Sequence, residues 1–204
     1  LKSAIQLAEG LPEPLNEIKK ALKLDPKDSK LRLEYAKLLT KYDLNEARTQ
    51  FETLSAASPR NSELLVSLAL INQETGDTIA AKAYLQKLIK IGKKTSEARA
   101  ILGRIAETEN DFQEALKHYL LISDSPEFLF ANLRIGKILL RTNAASQFNA
   151  HFNNMRRVYP HHGEKLFSIE ADILNKAELF DKSLEVFSRG ISLYPESLNL
   201  RYNR

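Results

Sequence analysis

The chain contains no cysteine. That removes a disulfide framework, a thiol nucleophile and a thiolate zinc site together, and it suits the cytosol and the periplasm equally. Glycine and proline are scarce, 7 of each in 204 residues, too few to turn a many-stranded β protein. No run of about 18 apolar residues occurs, so nothing reads as a membrane span. A dominant charge sign is missing as well. The 30 Lys and Arg stand against 26 Asp and Glu, and the formal +4 is too mild to demand a nucleic-acid partner. Enzyme signatures are missing too: no Gly-rich phosphate loop, no Gly-x-Ser-x-Gly, no His-Glu-x-x-His and no His–Cys pairing. What is present is 43% hydrophobic and 27% charged residues, dominated by Leu, Ala, Lys, Glu and Arg without sustained period-two alternation. The chain reads as all-helical.

The stretch 98–119 sets the organisation. It reads as two short helices with a turn at Glu109, Asn110 and Asp111. The first carries Leu102, Gly103 and Ala106 on one side, and the second carries Ala115 and Tyr119 on one face. A mid-helix Gly costs about 1 kcal/mol relative to Ala. Gly103 is therefore expected to admit a close second helix, with Ala115 as the small residue that meets it. This spacing of Leu-Gly, Ala, aromatic, Ala and aromatic resembles the tetratricopeptide repeat (TPR), a helix–turn–helix unit of about 34 residues.

The pattern repeats. Unit exits fall at Pro26, Pro59, Lys93, Pro126, Pro160 and Pro195, at intervals of 33, 34, 33, 34 and 35 residues. The small residue of each first helix is Ala36, Ala69, Gly103, Gly136 and Ala171. The small residue of the second is Ala47, Ala81, Ala115 and Ser183, with Phe51, Leu85, Tyr119, Phe152 and Phe187 as the large apolar partners. One unit departs from this, placing Phe148 at a small position, where a splayed or shifted helix pair is expected. The assignment is a single array over 1–204: a partial unit 1–28, units 29–61, 62–95, 96–128, 129–163 and 164–197, and the start of another at 198–204. The partial unit is read as a helix over Leu1–Glu9, then a second opened by Pro12 and Pro14 and ended at Leu24-Asp25-Pro26. The implied fold is all-α, a right-handed α-solenoid of stacked helix–turn–helix units. The start at Leu1, the absence of polar caps and a last helix cut in mid-turn lead us to expect a piece of a longer protein.

Charge distribution is the informative anomaly. Between Glu127 and Glu164 there is no Asp or Glu, while Arg134, Lys137, Arg141, Arg156, Arg157 and five Asn fall there. Arg134, Lys137 and Arg141 share one helical face. In the TPR family first helices line the concave groove, and Arg104 holds the matching position one unit earlier. The resemblance thus implies a basic strip of Arg104, Arg134, Lys137 and Arg141, suited to an acidic or carboxylate-bearing segment. A solvated face, salt-bridged to Glu97 or Glu107, is the alternative and stays open. Phe130 and Tyr202 fall at groove-facing positions as apolar contacts for a bound segment. Phe112, Tyr119, Phe152, Phe180, Phe187 and Tyr194 are read as core, and Arg156 and Arg157 as solubility charges.

Other sites are read as absent. His161 and His162 follow Pro160 in an expected loop, with no carboxylate or Cys at ligand spacing beside them, so no metal and no cofactor is assigned. The chaperone-tail carboxylate clamp of some TPR proteins is excluded, because its frame gives Leu33, Lys37, Ser67, Glu97 and Ile101 here. The exit Leu-Tyr-Pro-Glu-Ser-Leu-Asn-Leu-Arg-Tyr-Asn-Arg204 is similar to those of long TPR adaptors of Gram-negative bacteria, some of them outer-membrane lipoproteins. The compartment is thus read as bacterial periplasm or cytoplasm. The expected function is a non-enzymatic protein-interaction scaffold binding another protein or peptide. The rivals are a nucleic-acid-binding repeat, or the docking arm of an enzyme whose catalytic domain lies outside the chain. Self-association through the ends is a further expectation.

Overall fold

The computed structural model describes residues 12–204; the helix expected over Leu1–Glu9 lies outside them. The described residues are helical, with no strand among them. In order they form α1 (Glu13–Leu24), α2 (Ser29–Leu39), α3 (Leu44–Ala57), α4 (Ser62–Glu74), α5 (Thr78–Lys90), α6 (Thr95–Thr108), α7 (Phe112–Tyr119) and α8 (Phe128–Arg141). There follow α9 (Ala145–Val158), a 3-10 turn (Pro160–His162), α10 (Gly163–Lys176), α11 (Phe180–Leu193) and α12 (Leu198–Asn203). This is the all-α class expected from the sequence. The chain divides into two compact units, one up to Ala98 and one from Arg99 to Arg204.

Local chemistry starts and stops these helices. Asp28 caps α2, its carboxylate accepting from the amides of Lys30 at 3.0 Å and Leu31 at 2.9 Å. Asp43, Asn61, Asp77, Asp111 and Ser197 cap α3, α4, α5, α7 and α12 in the same way, satisfying amides that have no partner within the helix. No such side chain caps α8, α9, α10 or α11. In four of the units the tight turn places a left-handed residue one position before the N-cap of the second helix. Gly76 serves at φ +84°, while Asn110, Asn143 and Glu178 take the same role at +60°, +56° and +61°.

In the first unit α1 packs on α2, α2 on α3, α3 on α4 and α4 on α5. The small positions Ala36, Ala47, Ala69 and Ala81 are fully enclosed, and Tyr35, Leu39, Phe51, Leu65, Leu68, Leu85 and Leu88 fill the space between them.

In the second unit α8 packs on α7, α9 and α10, and α10 on α9, α11 and α12. The close approach of the second helix at Gly103 is observed, and the Tyr119 ring supplies its nearest atoms. A Cβ at Gly103 would lie 2.5 Å from the Tyr119 ring, four residues on from Ala115. Gly136 repeats the arrangement, with Phe152 at 3.0 Å and Ile173 at 2.6 Å from a would-be Cβ. Phe148 is buried with its ring centroid 5.0 Å from that of Phe152, so the bulky residue does not keep Phe152 away from Gly136. Phe152 and Phe187 are core as expected, whereas Phe180 is 57% exposed, a correction to its reading as core.

Candidate functional site

Glu107 on α6 organises the middle of the second unit. Its Oε1 accepts from the Tyr119 hydroxyl at 2.6 Å and from Arg134 Nε at 2.7 Å. Its Oε2 accepts from Arg134 Nη2, closing a bidentate pair. The Arg134 pKa is raised, chiefly by that bond to Glu107. Burial, followed by the bond to Glu107, raises that of the Tyr119 hydroxyl. Arg134 is therefore occupied. Of the four expected strip cations, it is the one held in the salt bridge that the alternative reading described.

The other three face outward. Arg104 and Lys137 are exposed, and neither has an ion-pair partner among the described residues. Arg141 is exposed too, its guanidinium 4.6 Å from the Phe112 ring centroid, a cation–π contact. Lys137 and Arg141 line a depression of about 300 Å³ with Leu140 on α8 and Ile173, Lys176 and Ala177 at the end of α10. Three cations thus ring a floor of Leu140 and Ile173. Phe130 is 37% exposed and stands edge-on to Tyr119, with centroids 6.1 Å apart. Tyr202 on α12 is 91% exposed and does not join the depression.

A second basic cavity, of about 500 Å³, was missed in the sequence. Asn153, Arg156 and Arg157 of α9, Phe167 of α10, and Arg189 and Tyr194 line it. Arg156 is not a solubility charge. It pairs with Glu170, whose side chain is 1% exposed, while Arg189 Nη2 lies 3.7 Å from the same carboxylate. Arg156 also sits 4.1 Å from the Phe167 centroid. Arg157 is exposed as expected and bonds Asn154 at 2.9 Å. Burial pushes the Glu170 carboxyl upward, and the two guanidiniums oppose that.

The reading of His161 and His162 also needs correction, because a carboxylate does stand beside them. Asp124, in the connection between α7 and α8, accepts from His162 Nε2 at 2.8 Å and His161 Nε2 at 2.9 Å. Those bonds, led by the one from His162, hold the Asp124 carboxyl below its usual value. The exit period carried the signal. Asp124 lies just before Pro126 and the histidines just after Pro160, at adjacent exits.

Residues 62–94 match the family model described as tetratricopeptide repeat. A TPR repeat-containing protein of Pseudomonas aeruginosa is 32% identical over 103 residues, covering 50% of this chain and 18% of that protein. The chain thus spans under a fifth of that relative's length. Among solved structures, a TPR protein from Parabacteroides merdae aligns over 98% of this chain and 80% of its own, with TM-score 0.59 and 18% identity. YrrB, described as a TPR protein with an unusual peptide-binding site, aligns over 91% of this chain and 96% of its own, with TM-score 0.55 and 16% identity. MamA aligns over 87% and 89%, with TM-score 0.55 and 20% identity. At these identities the structural likenesses speak to fold. Residues 62–94 are a tetratricopeptide repeat, and the helical-hairpin fold around them is that of TPR proteins.

Proposed function

We propose that the chain is a protein-interaction scaffold whose second unit takes an acidic or carboxylate-bearing segment on its first-helix face. The TPR fold supports the scaffold, and YrrB is a structural neighbour described as binding peptides. The observation that carries the finer reading is the depression ringed by Lys137, Arg141 and Lys176 over Leu140 and Ile173, between the acid-free α8 and the end of α10. Lys176 holds Asp172 at 2.8 Å on an exposed surface, a bond that a ligand carboxylate can displace at little cost. The cavity beside Arg156 fits the role less well, since Arg156 and Arg189 already serve Glu170. Arg104 and Phe130 extend the face, and Arg134 contributes by holding α8 to α6. Tyr202 remains a proposed contact on α12, apart from the depression.

The test follows fluorescence anisotropy of short labelled peptides, acidic with a free C-terminal carboxylate against basic and amidated controls. Wild-type chain is expected to prefer the acidic carboxylate peptide. Substituting Arg104→Glu with Lys137→Glu, both exposed and unpaired, weakens that binding by roughly tenfold or more, since each site turns from attraction to repulsion. Unchanged affinity, or equal binding of the basic peptide, contradicts the reading. Arg134→Glu is unsuitable here because it would set a carboxylate against Glu107 and report on folding.

A further inference from the structure

We propose that Asp124, His161 and His162 form a binding site for one divalent transition-metal ion of the zinc class, joining the exits of two successive units. Two imidazoles and a carboxylate are the nitrogen and oxygen donors that such ions take. One donor atom from each residue lies within 4.8 Å of the others. An ion bonded tetrahedrally at about 2.0–2.2 Å to each donor sets neighbouring donors roughly 3.3–3.6 Å apart. His162 Nε2 lies 2.8 Å from Asp124 Oδ1 and His161 Nε2 2.9 Å from Oδ2, so both imidazoles already point at the carboxylate, and short side-chain shifts convert two hydrogen bonds into three metal bonds.

The site is built before any ion arrives. Pro160 opens the 3-10 turn that sets the two histidines side by side, with ring centroids 4.2 Å apart. The His162 ring stacks on Phe128 at 4.8 Å. Phe128 is fully buried and packs on Tyr159, with centroids 4.6 Å apart. The core thus fixes the orientation of His162, and less side-chain freedom is lost on binding. Asp124 and His161 stand half exposed, at 51% and 56%, which gives the ion an entry path. Three protein donors leave coordination open to water or to a donor from a bound partner. Asp124 precedes α8 and the histidines precede α10, so the ion fastens the connections on either side of the α8–α9 hairpin.

The test uses the chain without a polyhistidine tag, stripped by chelator, titrated calorimetrically with Zn²⁺ and followed by visible absorption with Co²⁺. One ion per chain is expected, together with Co²⁺ ligand-field bands and a melting temperature that rises with free Zn²⁺. Asp124→Asn and His161→Ala, both at exposed positions, each weaken binding by at least roughly tenfold, the loss that even an outer-shell partner can produce. They also abolish the thermal shift, while far-UV circular dichroism stays unchanged. No saturable binding overturns the proposal. So does binding of full strength in both variants, which would place the ion on other groups.

Discussion

At the residue scale, tight contacts set the behaviour of single side chains. Tyr119 is pinned twice, by its hydroxyl on Glu107 and by its ring over Gly103. Gly103→Ala would gain about 1 kcal/mol of helix propensity, yet its methyl would enter at 2.5 Å from a ring that cannot swing away. Overpacking of that kind costs about 1–3 kcal/mol, so urea denaturation is expected to show a net loss of about 1 kcal/mol; a gain would mean that the ring has room to move. His151 gives a second outcome. Its Nε2–H donates to Asn132 Oδ1 at 2.7 Å, and Asn132 Nδ2 donates to the Phe128 carbonyl at 2.8 Å. Burial lowers its pKa from 6.5 to about 4. Between those values the unfolded chain binds the extra proton, so stability rises with pH across the window and is lost as pH falls from 6.5 towards 4, by up to about 1.4 kcal/mol per unit. His151→Gln, which can still donate to Asn132, is expected to flatten that slope in thermal melts from pH 7 to about 4. The glycine approach was legible in the sequence, whereas the nearness of the Tyr119 ring, one helical turn beyond Ala115, came only from the structure. The Arg156–Glu170 pair was hidden because Glu170 lies outside the acid-free run, and only the packing of α9 on α10 brings it in.

At the element scale, the repeat register explains the helix starts. Asp43, Asp77 and Asp111 cap second helices, and at the next two register positions stand Ala144 and Leu179. The backbone there is nearly unchanged: φ/ψ of −82°/72° at Asp77 and −86°/78° at Asp111, against −92°/52° at Ala144. The geometry for a cap therefore exists at Ala144 without the side chain. Ala144→Asp is expected to stabilise the chain by about 0.5–1 kcal/mol, helped by a negative charge at the α9 N-terminus, and to raise the melting temperature by a few degrees. An unchanged or lower value would show that packing around Ala144 outweighs the cap. Helix positions were legible because exits and small residues recur at 33–35 residues. The trio of Asp124, His161 and His162 was legible only in outline. The exit period brings Asp124 close to His161 and His162, but scanning for ligands at short spacing along one segment misses a carboxylate from the neighbouring exit.

At the scale of the whole molecule, a nearly balanced chain concentrates its imbalance in one stretch. The span from Phe128 to Gly163 has no acid, and its first helix presents Lys137 and Arg141 to the solvent. Of the strip read from the sequence, Arg104, Lys137 and Arg141 are exposed and Arg134 is occupied. Arg134 turned inward to Glu107, and Lys176 from α10 joined Lys137 and Arg141 instead. The Arg134–Glu107 bridge was one of the two readings left open by the sequence; the arrival of Lys176 was not legible, because it depends on α10 packing against α8. The scaffold account rests on that face as the place where a partner segment lies. Nuclear magnetic resonance of isotope-labelled chain, titrated with the acidic carboxylate peptide, tests this most directly. The account predicts shift changes that saturate together at Arg104, Phe130, Lys137, Leu140, Arg141, Ile173 and Lys176. Changes confined to Arg156, Arg157 and Arg189, or scattered without saturation, would contradict it.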